Sequence, residues 1–186
     1  MPRRTSSSWS PPGAAGLELP FVGRRRETAY LRAEIAAGRS IVITGAFGVG
    51  RTALVVESAR QLALEWSFLF SGFDVGSAGE LGDKLSRRRR EDPRRQALVL
   101  DDVAKVTPQR VEAARRLRER YRVIAIVEAF VPEAQQAALA SALWARPPLQ
   151  LGCLDRAATL KYFEACSRRL GLGCPWRGEN AETQGA

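Results

Sequence analysis

Gly45-Ala-Phe-Gly-Val-Gly-Arg-Thr52 places three glycines, a cation and a hydroxyl within eight residues. A run of this kind suits a polyphosphate: Gly45, Gly48 and Gly50 let the backbone curl, so that the N–H groups of Gly48, Val49, Gly50, Arg51 and Thr52 face the anion. Thr52 can offer its hydroxyl to Mg2+, and the pattern G-x-x-x-x-G-K-[ST] is met except that Arg51 stands where lysine is expected. A phosphate-bound metal also needs an acid on its far side. Leu98-Val-Leu-Asp101-Asp102 supplies a pair of them. Asp101 would hold Mg2+ through water, and Asp102 would orient or deprotonate an attacking water. The plain structural alternative is a turn or helix cap, since aspartate is common after strands.

These residues need elements to position them. Ser40 to Thr44 is a short β-branched run that fits a strand buried on both faces, and the glycine stretch follows it at once. Arg24 to Ala37 reads as a helix stopped by Gly38, and Ala53 to Glu65 as a second. Trp66 to Gly72 reads as the next strand. Ala78 to about Arg90 is a weaker helix, closed by Pro93. Ala97 to Asp102 and Arg122 to Val127 read as two more strands, with a helix over Pro108 to Arg120 between them. Pro132 to Ala145 looks helical, Leu149 to Leu151 is a short fifth strand, and Asp155 caps a last helix carrying Leu160, Phe163, Cys166 and Leu170 on one face. Strands alternating with helices in this order predict a parallel sheet with helices on both faces. In such sheets ligands bind beyond the carboxyl ends of the strands, where the glycine loop and the aspartate pair both fall.

At 186 residues, 45% hydrophobic and 26% charged, the chain fits one globular domain with flexible ends. No apolar run is long enough to span a bilayer, and no apolar segment follows the basic N-terminus as a secretory signal would require. Its Arg- and Ser-rich start hints at a transit peptide, but Pro11 and Pro12 spoil an amphipathic helix there. Residues 1–19 are expected to be disordered and residues 174–186 a flexible tail. Cys153, Cys166 and Cys174 are odd in number and the chain has no His, which argues for reduced thiols in the cytoplasm and excludes Ser-His and Cys-His chemistry. A formal charge of +9 would attract nucleic acid, acidic lipid or nucleotide phosphates without choosing among them. The run Arg87 to Arg90 could grip DNA or RNA, although no aromatic residues interleave with it to stack bases.

The sequence resembles the P-loop ATPases of the AAA+ and STAND groups, especially their Orc1-like or archaeal-type ATPase domains. Phe21-Val-Gly-Arg-Arg-Arg-Glu27 looks like the family's F-V-G-R-E-x-E box. Gly45 to Thr52 looks like its Walker A, and Leu98 to Asp102 like its Walker B. The resemblance implies an α/β three-layer sandwich with a parallel five-stranded sheet in the order 5-1-4-3-2. It implies ATP with Mg2+ as ligand, adenine near Phe21, Val22 and Gly23, a core over residues 20–152, and a partial helical lid over 153–173. It also implies a polar sensor at the end of the fourth strand, where this chain has Val127-Glu128. Arg168 and Arg169 are candidates for the lid's sensor arginine.

Arg51 is the most consequential departure from that family. A guanidinium is wider and fork-shaped, so it need not fit the gap a lysine fills between two phosphates. Binding rests on the backbone and should survive; hydrolysis rests on positioning and should suffer. Three functions fit these residues: an ATP/ADP-binding switch that hydrolyses weakly and governs a protein partner or its own self-association, a degenerate nucleotide-free adaptor, and a DNA-associated ATPase of the replication-initiator or transposition-helper kind.

Overall fold

The computed structural model describes residues 20–62, 65–69, 96–119 and 121–172. The expected N-terminal disorder, the helix over 78–90 with Arg87 to Arg90, the end of the second strand at 70–72 and the tail with Cys174 and Trp176 lie outside the described residues.

Strand β1 (Ile41–Gly45) is the β-branched run, and residues Ile41 to Thr44 are all buried. It lies between β4 (Arg122–Glu128) and β5 (Leu149–Leu151), parallel to both. On the far side of β4 come β3 (Gln96–Val103) and then β2 (Glu65–Leu69), again parallel, which gives the order β2-β3-β4-β1-β5. Four strands of five to eight residues make the body of the sheet, and β5 is a three-residue edge pairing only with Ile43 to Gly45. A sheet of this order is built by crossovers, so each strand arrives at the same end of the sheet before its chain turns back.

Alternation along the strands sends side chains to two faces, and both are buried. Val42, Leu98, Leu100, Val123, Ala125 and Val127 fill one face and pack with residues of α3 (Pro108–Arg118) and α4 (Glu133–Ala142), among them Ala114, Leu117 and Leu139. Ile41, Ile43, Val99, Ile124 and Ile126 are buried on the opposite face. Helices α1 (Arg25–Ala36) and α2 (Arg51–Gln61) pack on each other and on β1, and they bury Leu31, Ile35, Leu54 and Val55. A sheet whose two faces are both apolar has to be covered on both, which explains why its strands read as unbroken hydrophobic runs.

The sequence boundaries shift in two informative places. Helix α2 begins at Arg51, directly on the glycine loop, and ends at Gln61 because Leu62 is already extended (φ −108°, ψ 125°). Helix α4 stops at Ala142, short of Ala145, and Trp144 takes a left-handed backbone (φ 52°) that a helix cannot accommodate. Trp144 is exposed rather than packed inside, with the Arg118 guanidinium stacked 3.4 Å over its ring. Such stacking at an exposed site contributes about 0.5–1 kcal/mol.

The chain divides into two compact units. One runs from Gly23 to Asp155 and contains the sheet; the described residues 20–22 and 156–172 fall in the other. In the second unit, α5 (Arg156–Arg169) has no buried residue, and Leu160, Phe163 and, just past its end, Leu170 are exposed.

Candidate functional site

The site is assembled where β1, β3 and β4 end. Gly45 closes β1 and approaches β5 so closely that a Cβ there would lie 2.5 Å from the Leu151 carbonyl oxygen. Glycine is therefore required at the point where the loop leaves the sheet. Gly48 and Gly50 have φ of +79° and +90°, and a Cβ built on either would meet nothing within 4 Å. The loop thus turns on glycine conformations and is open on that side. Phe47 at its tip is 91% exposed. Gly50 caps α2 with no side-chain hydrogen bond, and no acidic residue occupies the first turn. The N–H groups of a helix's first turn have no intrahelical acceptors and carry partial positive charge. This loop leaves them to an anion, where α3 by contrast begins on Thr107, whose hydroxyl accepts from the Arg110 N–H at 3.3 Å.

Thr52, on the first turn of α2, donates its hydroxyl to Asp101, at 3.0 Å from Oδ2 and 3.3 Å from Oδ1. Asp101 is buried and also accepts from the Asp102 N–H at 2.9 Å. Burial pushes the Asp101 carboxyl above its ordinary range, while the bonds from Thr52 and the Asp102 amide pull the other way. A buried carboxylate that its surroundings leave short of positive charge is a fitting ligand for a cation. The register of β3 on β4 slips between Leu100 and Val103, a bulge that contains both aspartates. One extra residue in a strand re-aims the side chains around it. Asp102 accordingly takes a left-handed backbone (φ 54°) and lies exposed, next to the buried Asp101.

Arg51 follows a different course. Its guanidinium is buried, with 7% of the side chain exposed; Nη1 donates to the Val127 carbonyl at 2.8 Å and Nη2 to Glu128 Oε1 at 2.5 Å. Glu128 is the last residue of β4 and sits opposite Gly45 in the β1–β4 register. The cation of the glycine loop is thus ion-paired to the last residue of β4.

Arg24 braces the same loop. It takes a left-handed backbone at the start of α1 (φ 60°), and its Nη2 donates to the Val49 carbonyl at 3.0 Å and to the Gly152 carbonyl. Nη1 pairs with Glu27 at 3.1 Å. One side chain thus ties a carbonyl of the glycine loop to the segment that follows β5.

Thr52, Asp101, Gly45, Gly48, Val49 and Gly50 are brought to one place by the fold. Phe21 and Val22 fall in the unit that carries α5, and Gly23 in the sheet unit. Sequence reasoning missed Arg24, hidden in a box read for its neighbours. It also missed the Arg51–Glu128 pair, although a signal was available: two departures from one family pattern carry opposite charges.

Mg2+ and a nucleotide polyphosphate fit this donor set in part. Among the described residues no group of three or more His, Cys, Asp and Glu side chains could hold a metal. Thr52 and Asp101 would supply two oxygens, and Mg2+ ordinarily completes its shell with phosphates and water. The open glycine turns and the uncapped helix fit phosphates. The guanidinium of Arg51, committed to Glu128, does not fit the role of the lysine.

No protein-family model matches the chain, and no curated relative matches it. Solved structures do match. One is the structure of C. elegans PCH-2, with a TM-score of 0.50 and 15% identity over 78% of this chain. The match covers 47% of that structure's chain, so this chain spans about half of its length. At this identity the likeness is one of fold alone.

Proposed function

We propose that the chain is a nucleotide-binding AAA+-type protein, of the STAND or Orc1-like kind, that acts as a nucleotide-dependent switch with weak or no hydrolysis. The observation that carries this reading is the Thr52–Asp101 hydrogen bond beneath an uncapped, glycine-built helix start. The N–H groups of Gly48 to Thr52 would bind the phosphates, Thr52 and Asp101 would hold Mg2+, and Asp102, exposed beside them, would orient a water. Bound Mg2+–ATP supplies a phosphoanhydride whose terminal phosphoryl group can pass to that water. Transfer depends on fixed positive charge where charge develops. Arg51 is tied to Glu128, so turnover is weak and binding is what the site retains. Phe21, Val22 and Gly23 keep their proposed part in holding adenine on the strength of the box they belong to.

The same ion pair favours a second reading, a nucleotide-free interaction module, because it lowers the positive charge offered to phosphates. The free thiols Cys153 and Cys166 agree with a cytoplasmic setting. Among the described residues no helix is long and apolar enough to cross a membrane. A protein partner or self-association would read out the switch, and the net charge of +9 keeps DNA as a candidate ligand.

Titration of labelled ATP and ADP, with and without Mg2+, tests the reading. The expected result is micromolar to submillimolar binding that weakens without Mg2+ and in Thr52→Ala. No binding at millimolar nucleotide overturns the switch and leaves the adaptor. DNA affinity that falls steeply with salt would identify the third function, since phosphate contacts release counterions.

A further inference from the structure

The Arg51–Glu128 pair lies at the end of a phosphate loop, and its chemistry bears on which polyphosphate the loop accepts. In loops of this pattern the backbone N–H groups cradle the inner phosphates, while the cation after the last glycine reaches the outer ones. This chain keeps the first device and changes the second. Arg51 is the one cationic side chain between Gly45 and Thr52. Its planar fork is held by two acceptors from the neighbouring strand, the Val127 carbonyl and the Glu128 carboxylate. Both partners are nearly buried, Arg51 at 7% and Glu128 at 12% exposure, so solvent screens the pair little. The charges of this pair therefore sum to zero, and the partner of the loop's cation is an anion.

We propose that Glu128 is the specificity-determining residue of this site: its carboxylate takes the place of an outer phosphate on Arg51, so the loop selects a nucleoside diphosphate over the triphosphate. The inference rests on the nucleotide-binding reading above. A diphosphate is served by the backbone N–H groups of Gly48 to Thr52 with the ion pair left closed. A third phosphate gains no cation and meets Glu128, a like charge in a poorly screened place, unless Arg51 first leaves a carboxylate that matches its fork. A lysine at position 51 would not cure this, because Glu128 would hold its ammonium in turn. Restoring triphosphate binding requires a change at Glu128.

Calorimetric titration of Mg2+–ADP and Mg2+–ATP into the full chain and its Glu128→Gln variant is the test. Gln keeps an oxygen that accepts from Arg51 Nη2 while removing the negative charge. The wild type should bind ADP about tenfold more tightly than ATP, and Glu128→Gln should tighten ATP about tenfold with ADP moving less than about twofold. Arg51→Lys alone should leave the wild-type ratio in place. A wild type that binds ATP as tightly as ADP overturns the inference without any variant, and so does a ratio unmoved in Glu128→Gln. Those results leave nucleotide binding itself standing, whereas absence of both nucleotides from wild type and variant overturns the two readings together.

Discussion

Two side chains one residue apart on α2 meet opposite fates. Thr52 reaches Asp101 on β3 and builds the half of the site that could hold a metal; Arg51 reaches Glu128 on β4 and closes the half that would meet the outer phosphate. Both contacts join the helix to the end of a strand, so both help to fix where α2 sits. They differ in charge balance. Asp101 is a buried acid with a hydroxyl and an amide for company, and it gains from an added cation. Arg51 and Glu128 satisfy each other and gain from none. A site can therefore keep the loop geometry of a phosphate binder while one half of its electrostatics is already spoken for.

Breaking the closed half should have the largest effect. Glu128→Ala leaves a nearly buried guanidinium without its carboxylate, and a cost of about 3–5 kcal/mol is expected for a broken buried pair. Chemical denaturation would show it, and Glu128→Gln should lose much less. A midpoint unchanged in Glu128→Ala would mean that Arg51 turns to water at little cost.

Loosening the loop common to both halves comes next. Arg24→Ala removes charged hydrogen bonds to the Val49 and Gly152 carbonyls and the pairing with Glu27, so stability should fall by about 2 kcal/mol. Exchange of the amide protons from 46 to 50 should also quicken, as hydrogen exchange would detect.

The open half should respond in the opposite direction. Asp101→Asn removes a buried charge short of partners, so the free protein should melt at a higher temperature while nucleotide binding loses its dependence on Mg2+. The pH dependence has a definite sign. A carboxyl raised in the folded state stabilises the fold fully below its ordinary range, near 4, and this contribution is lost as pH rises through its raised value. Glu34 on α1 behaves in reverse: the hydrogen bonds from Arg39, at 2.6 and 2.8 Å, hold its carboxyl below the usual range against the effect of burial. Its contribution is present above the ordinary value and is lost as pH falls through the lowered one. Asp101→Asn should flatten stability on the neutral side of pH 4, and Glu34→Gln on the acid side; thermal melts from pH 3 to 7 would check both.

The smallest effect is expected away from the site. Thr107→Ala should cost about 1 kcal/mol, because α3 is capped by its own side chain, and should leave nucleotide affinity unchanged.

The sheet and the loop were legible because local signals and global needs agree there. Ile41 to Ile43 and Val123 to Val127 are apolar throughout, as strands covered on both faces must be, and Gly45, Gly48 and Gly50 sit where the chain needs turns or close approach. Asp101 and Thr52 were legible from their offsets in two motifs. Glu128 was not, because its meaning depends on pairing across 77 residues of chain, which no local pattern encodes. Arg24 was overlooked for the same reason: its partners are the carbonyls of Val49 and Gly152, and a backbone acceptor leaves no trace in composition. The β3 bulge that sets Asp101 and Asp102 apart is likewise a matter of register on β4, invisible in Leu98 to Asp102 read alone.

The most direct test of the contrast between the two halves is a crystal structure of the chain with Mg2+ and ADP. The account predicts the terminal phosphate of ADP on the N–H groups of Gly48 to Thr52, Mg2+ beside Thr52 and Asp101, and Arg51 still bonded to Glu128. A nucleotide bound elsewhere, or Arg51 swung from Glu128 onto the phosphates, would contradict it.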